Sequence, residues 1–260
     1  MKNIIKIFAI IGISVLLATG VANSAFASDH RWVKDSNGWC VQDSAGNYLI
    51  SQWYQSPESG LWYYLNYMGY MKQNCVTPDG YALNEDGAMI ACDINNAEYY
   101  YMQYLDTVTA SAFDAWNYEV EYLIKDFNQD GIEDMLLFEA YEEQYGNGTN
   151  VETIYTIQNG RIVLVDEISH PFRWGARNAL TKYNENYLIN VAEGRIGELV
   201  YSINSNLKFV QEIYCTFYAD GEIWENSNHI YNGIESYEDI EWGDVVEMNT
   251  YEDKFLPANF

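Results

Sequence analysis

The spacing of apolar and polar positions divides this 260-residue chain into four stretches. Residues 7–18 form an apolar run broken only by Gly12 and Ser14. Between Trp32 and Met89, short aromatic segments alternate with Gly-containing turns, the pattern of small β-hairpins. Residues 97–109 place Tyr100, Tyr101, Tyr104, Leu105 and Val108 at helical spacing and predict one amphipathic helix. Strand patterns follow. Residues 154–157 and 161–165 flank Asn159-Gly160, a strong hairpin turn. Residues 179–183 and 187–191 flank Asn184-Glu185-Asn186, and 199–203 and 207–213 flank a turn of Asn and Ser. Three consecutive hairpins predict an antiparallel meander, and the mixed, acidic stretch 237–255 reads as a further helix. The expected fold class is mainly β (α+β): stacked hairpins, then an antiparallel meander with peripheral helices.

The aromatic stretch repeats itself. Copies begin at Arg31, Gln52 and Cys75, and aligned on their turns they put Gly46, Gly69 and Gly87 in one register, preceded by Asp43, Asn66 and Asn84. A single two-stranded hairpin cannot bury its own aromatics and is marginal in water. The copies are therefore expected to stack as a small solenoid, leaving gaps lined by rings.

The segments Trp32-Val33-Lys34-Asp35, Gly38-Trp39 and Trp62-Tyr63-Tyr64-Leu65-Asn66, with Gly69 and Met71, resemble the cell-wall-binding (choline-binding type) repeat of Gram-positive surface proteins. The resemblance covers about a quarter of the chain. It implies an aromatic box between neighbouring hairpins that holds a quaternary ammonium or a sugar face, each ring attracting a cation by ~0.5–2 kcal/mol. The copies depart from the pattern where Cys40 and Val41 replace tyrosines and Cys75 replaces a leading Trp. One box is expected, built from Trp39, Trp53, Trp62 and Tyr64. The competing expectation is that these rings are only the hairpins' core, the usual way a thin β-layer gains buried area.

Lys2 and Lys6 ahead of the apolar run, and Ala25-Phe26-Ala27 behind it, predict a secretory signal peptide over 1–27 and a mature chain from Ser28. The run is shorter than the roughly 20 residues needed to span a bilayer. Leu256-Pro257-Ala258-Asn259 has no apolar segment or basic tail after it, so covalent anchoring is not expected. The formal net charge is −25, and removing Lys2 and Lys6 takes it to −27. Such a chain has no basic patch for phosphates, which excludes nucleic acid and disfavours anionic membranes. Cations are its natural partners.

Most of the carboxylates serve solubility, but one set has a spacing of its own. Asp126, Asn128, Asp130 and Asp134 stand at positions 1, 3, 5 and 9 of a loop, with Gly131 at 6 and the Ile132 carbonyl at 7, which matches a calcium loop. Position 12 is Leu137, so the bidentate Glu of an EF-hand is missing. Apolar flanks on both sides make the unit strand-loop-strand, and in this it resembles the calcium loops of integrin-type propeller repeats. A metal-free polar turn is the competing expectation.

Nothing in the sequence argues for catalysis: His30, His170 and His229 are scattered, and neither H-E-x-x-H nor G-x-S-x-G occurs. Glu139, Glu142 and Glu143 read as a solvated face. Cys75 and Cys92 bracket the third hairpin and could staple it, Cys40–Cys75 is the alternative, and free thiols are the third possibility; Cys215 lies in the other half. The expected organisation is a signal peptide (1–27), cell-wall-binding-like repeats (28–93) and a mainly β domain with a calcium-type loop (94–260). The expected function is a secreted, wall-associated binding protein held non-covalently on choline or glycan. A wall-polysaccharide or peptide hydrolase targeted by the repeats, or an adhesin module, is the alternative.

Overall fold

The computed structural model describes residues 30–108, 117–142, 147–173, 179–183, 186–192, 197–217, 223–228 and 248–250. The expected signal peptide and nearly all of the expected helix over 237–255 lie outside these residues. Within that last stretch Asn249–Thr250 is described, and it is a strand rather than a helix.

The protein is mainly β with one short α-helix among the described residues. Hairpin one pairs β1 (Arg31–Lys34) with β2 (Trp39–Gln42), and hairpin two pairs β3 (Gln52–Gln55) with β4 (Trp62–Leu65). The third unit is a small three-stranded sheet of β5 (Cys75–Val76), β6 (Ala82–Leu83) and β7 (Met89–Ile90). One turn recurs after these strands, and its chemistry explains the register read from sequence. Oδ1 of Asp43 accepts the amides of Ala45 and Asn47, that of Asn66 those of Met68 and Tyr70, and that of Asn84 those of Asp86 and Ala88. Three residues after each acid or amide, a glycine at φ of 87, 87 and 79° takes the left-handed backbone that closes the turn. The turn folds the chain back, so that Cys40 of β2 bridges to Tyr70 and Tyr63 of β4 bridges to Ala88. The hairpins thus stack, around a small core of Val41, Tyr54 and Leu65.

α1 (Ala97–Val108) buries Ala97, Tyr101, Tyr104 and Leu105, the stripe its periodicity predicts. Beyond it stand two sheets instead of one meander. The first orders β11 (Arg161–Arg173), β10 (Asn147–Gln158), β9 (Asp134–Glu142), β8 (Asn117–Lys125) and β17 (Asn249–Thr250). The second runs through β12 (Ala179–Tyr183), β13 (Asn186–Ala192), β14 (Gly197–Ile203), β15 (Phe209–Phe217) and β16 (Ile223–Asn228). Leu207, expected in a strand, instead takes the left-handed place (φ 57°) in a fourth copy of the Asx turn, with Asn204 accepting the amides of Asn206 and Lys208.

β9 shows how the first sheet is used on both faces. Met135 and Leu137 point into a core shared with α1, while Leu136 and Phe138 pack with Leu180, Ile189 and Tyr201 of the second sheet. The third hairpin belongs to the first of these cores, since Val76, Ala82 and Cys92 pack there beside Tyr101, Leu105 and Ile162. Backbone bonds fix the contact: the Ile162 amide donates to the Gly80 carbonyl at 2.9 Å and the Cys92 amide to the Gly160 carbonyl at 2.8 Å.

Candidate functional site

Adjacent residues on a strand face opposite ways, so the neighbouring aromatics Trp53-Tyr54 and Tyr63-Tyr64 are shared between two clusters. The first is centred on Trp32. Its ring meets Tyr63 at 5.1 Å, Tyr54 at 5.5 Å and Trp39 at 6.3 Å, all edge to face. The Trp32 indole N–H donates to the Ser56 hydroxyl at 3.3 Å, which anchors this ring inside the hairpins. Trp39 is 42% exposed, and the Lys34 ammonium, its cross-strand partner, lies 5.3 Å from the ring centroid.

The second cluster is centred on Trp53, which meets Tyr64 at 5.3 Å and Tyr81 of the third hairpin at 5.6 Å. The Trp53 indole N–H donates to Asp79 Oδ2 at 2.8 Å, and the Thr77 hydroxyl donates to Asp79 Oδ1 at 2.6 Å. Arg161 completes it from β11: its guanidinium lies 5.2 Å from the Tyr81 centroid and donates to the Asp79 carbonyl at 3.2 Å. Burial, helped by the Asp79 charge, raises the Tyr64 phenol above its ordinary pKa.

The four expected box residues are therefore not gathered into one box. Trp53 and Tyr64 face each other, Trp62 lies on the same hairpin face opposite Gln55 and is 40% exposed, and Trp39 joins the Trp32 cluster. Sequence reasoning missed Trp32, Tyr63, Tyr81, Asp79 and Arg161. The two-residue strand period would have assigned Tyr63 and Tyr54 to one face, whereas nothing local to Arg161 points to a ring 80 residues earlier.

The loop between β8 and β9 is wound around its own carboxylates. Asp126 Oδ1 accepts the Asp130 amide at 3.1 Å and Oδ2 the Gly131 amide at 2.9 Å, and Asp130 Oδ1 accepts the Ile132 amide at 2.9 Å. Asn128 donates from its side-chain amide to Asp130 Oδ2 at 2.9 Å. Gln129 at φ 62° and Gly131 at φ 88° make the sharp turn. Asp134 is fully buried; its Oδ2 accepts the Phe127 amide at 3.1 Å, and its Oδ1 has no hydrogen-bond partner. Burial lifts its pKa to about 6 against the pull of the Thr156 hydroxyl and the Phe127 amide, with the Asp130 and Asp126 charges adding to the rise. The donor set is all oxygen, as a hard cation requires, and the unpartnered buried Oδ1 fits a cation. Among the described residues, however, no three His, Cys, Asp or Glu side chains are already gathered as a metal cage.

Cys40, Cys75 and Cys92 are free thiols, so neither expected pairing among them is formed. Cys40 donates to the Val33 carbonyl at 3.3 Å, and burial pushes the Cys92 thiol up to about 11. Both behave as small core residues. No helix among the described residues is long and apolar enough to cross a membrane.

No protein-family model and no curated protein matches the chain. Among solved structures it is similar to a multimodular pneumococcal cell-wall endolysin from phage Cp-1 complexed with choline, at 16% identity and a TM-score of 0.24, covering 76% of this chain and 38% of that one. It is similar to the modular autolysin LytC from Streptococcus pneumoniae at 15% identity and a TM-score of 0.22, covering 78% and 36%. An alternansucrase in complex with isomaltononaose is similar at 12% identity and a TM-score of 0.22, covering 76% and 12%. The chain thus spans well under half the length of each of these proteins, and at such scores the likeness carries no ligand over to it.

Proposed function

We propose that this protein is a secreted binding protein, attached non-covalently to a cell-wall polymer through the exposed rings of its first two hairpins. Trp39 is the principal contact, braced edge-on by Trp32, which Tyr63 also meets, and the exposed Trp62 offers a separate ring on the other face of hairpin two. The observation that carries the reading is the position of Lys34. The chain's own ammonium already rests against the Trp39 ring, so the ring attracts cations, and a quaternary ammonium or a sugar face can take that place. Trp53 and Tyr64 serve as support, because Tyr81 and Asp79 occupy them.

A pull-down of the full mature chain on purified cell walls, with and without free choline, tests this. Retention is expected to fall at least tenfold in Trp39→Ala and to be competed by choline if the polymer carries it. Competition by soluble glycan alone would identify a sugar face. Undiminished retention of Trp39→Ala would refute the assignment.

Calcium in the loop 126–134 is the second part of the proposal. Asp126, Asn128, Asp130, Asp134 and the Ile132 carbonyl are its ligands, and the unpartnered Asp134 Oδ1 supports it. A cation that binds only the folded state adds ~2.7 kcal/mol at a hundred times Kd. EDTA is expected to lower the melting temperature, calcium to restore it, and Asp126→Ala with Asp130→Ala to abolish both responses. A melting curve indifferent to EDTA and millimolar calcium would leave an ordinary acidic turn.

A further inference from the structure

The face of the first sheet that turns toward the second carries acidic residues at one end. Ala140 of β9 lies between Glu119 of β8 and Asn150 of β10, and Phe138, the next residue on that face, lies between Glu121 and Glu152. His170 of β11 stands beside Asn150, its ring 5.3 Å from that of Tyr201 in the second sheet. Ala140 carries only a methyl group among longer neighbours. A cavity of about 40 Å³ lies here, with Glu119, Glu121, Phe138, Ala140, Asn150 and Glu152 among its walls.

Glu152 is the feature that calls for a ligand. It is fully buried, and neither of its carboxyl oxygens has a hydrogen-bond partner. Buried polar groups are nearly always paired, and this one lines a cavity. The Nε2 atom of His170, at the same end of the sheet, is buried and unpartnered as well.

We propose that this cavity binds a primary ammonium group. The ring of carboxyl groups rejects anions. A metal ion is disfavoured because no three acidic or imidazole groups among the described residues are gathered to chelate one. Hydrogen bonding decides among the remaining cations. A quaternary ammonium has no N–H and would leave both Glu152 oxygens without a donor. An –NH₃⁺ head is water-sized and brings three donors, two of which match the empty Glu152 oxygens. Its charge is balanced by Glu152, which gives up its proton on binding, and by the neighbouring carboxylates.

The head group can come from a lysine side chain or from an amino sugar, and the carrier distinguishes them. The test is calorimetric titration of the full chain with methylammonium, n-butylammonium as the lysine mimic, and glucosamine. Methylammonium is expected to bind in the wild type and in Trp39→Ala, and at least tenfold more weakly in Glu152→Gln, which keeps the shape of the side chain. Ala140→Leu fills the cavity and is expected to abolish binding, which keeps the test decisive if Glu152→Gln folds poorly. Binding of n-butylammonium or of glucosamine names the source, and either supports the proposal. If none of the three amines binds in a way that depends on Glu152 or Ala140, the cavity holds water only and the proposal falls. Because Trp39→Ala is included, failure here leaves the wall-binding reading untouched, and the reverse also holds.

Discussion

Trp32 and Trp53 belong to successive hairpins and both meet their neighbours edge to face, yet their surroundings set them to different work. The Trp32 indole is satisfied by a neutral serine, and its partner Trp39 stays open to solvent with only a mobile type of side chain, a lysine, across it. The Trp53 indole is bonded to a carboxylate, and an arginine from a distant strand covers the adjoining Tyr81. An aromatic box filled by the chain's own Asp79 and Arg161 is a joint between hairpin and sheet. A box filled only by Lys34 is one that a ligand can enter, because lysine is a flexible point charge while arginine combines a planar stack with directed donors.

The largest expected effect breaks the joint. Gly80 sits at φ +86°, and a Cβ there would lie 1.9 Å from the Ile162 carbonyl oxygen, so Gly80→Ala must separate the third hairpin from β11. A loss on the order of 3 kcal/mol or more is expected in urea denaturation. Gly46 has nearly the same φ, +87°, with nothing within 4 Å of its Cβ, and Gly46→Ala should cost only the left-handed backbone strain, about 1–2 kcal/mol. Equal losses would mean that the docking contributes nothing.

Next in size is a pH effect confined to the second half. Burial raises the Glu152 pKa to about 8 from an ordinary 4.5, so between those values the folded state holds a proton that the unfolded state has released. Its contribution is complete below pH 4.5 and is lost as pH rises through 8. His170, lowered from 6.5 by burial, acts oppositely: stability is lost as pH falls below 6.5. Above pH 6.5 the Glu152 slope therefore stands clear, at no more than ~1.4 kcal/mol per pH unit. Glu152→Gln should flatten the fall in melting temperature between pH 6.5 and 8, whereas Trp53→Phe should leave it intact.

Trp53→Phe keeps an aromatic ring but removes the donor to the half-buried Asp79, and the loss of such a bond to a charged group costs about 1–2 kcal/mol. The comparison requires that this variant lose stability and keep its retention on cell walls, the reverse of Trp39→Ala. Loss of retention by both would mean that the two clusters form one site. The smallest effect sharpens the other side: Lys34→Ala removes the internal competitor for the Trp39 ring, worth ~0.5–1 kcal/mol at an exposed site. Affinity for choline-bearing wall should rise about two- to fivefold, and a fall would make Lys34 part of the binding surface.

Local chemistry alone was enough for much of this molecule. The polar residue three places before Gly46, Gly69 and Gly87 announced the recurrent turn because an Asx side chain and a left-handed glycine are both local requirements. Helix α1 and the Asn159-Gly160 hairpin were likewise legible, since periodicity and turn type are set within a few residues. The strand period also contained the division of Trp53 from Tyr54, although one box was expected across it. What no local pattern could contain is the partner of each exposed face. That Arg161 would close on Tyr81, that Gly80 would touch Ile162, and that Glu152 would be buried without a partner beside Ala140 depend on strands meeting across long loops. The same acidic and aromatic residues become solvent surface, joint or pocket according to what packs against them, and only the tertiary fold fixes that environment.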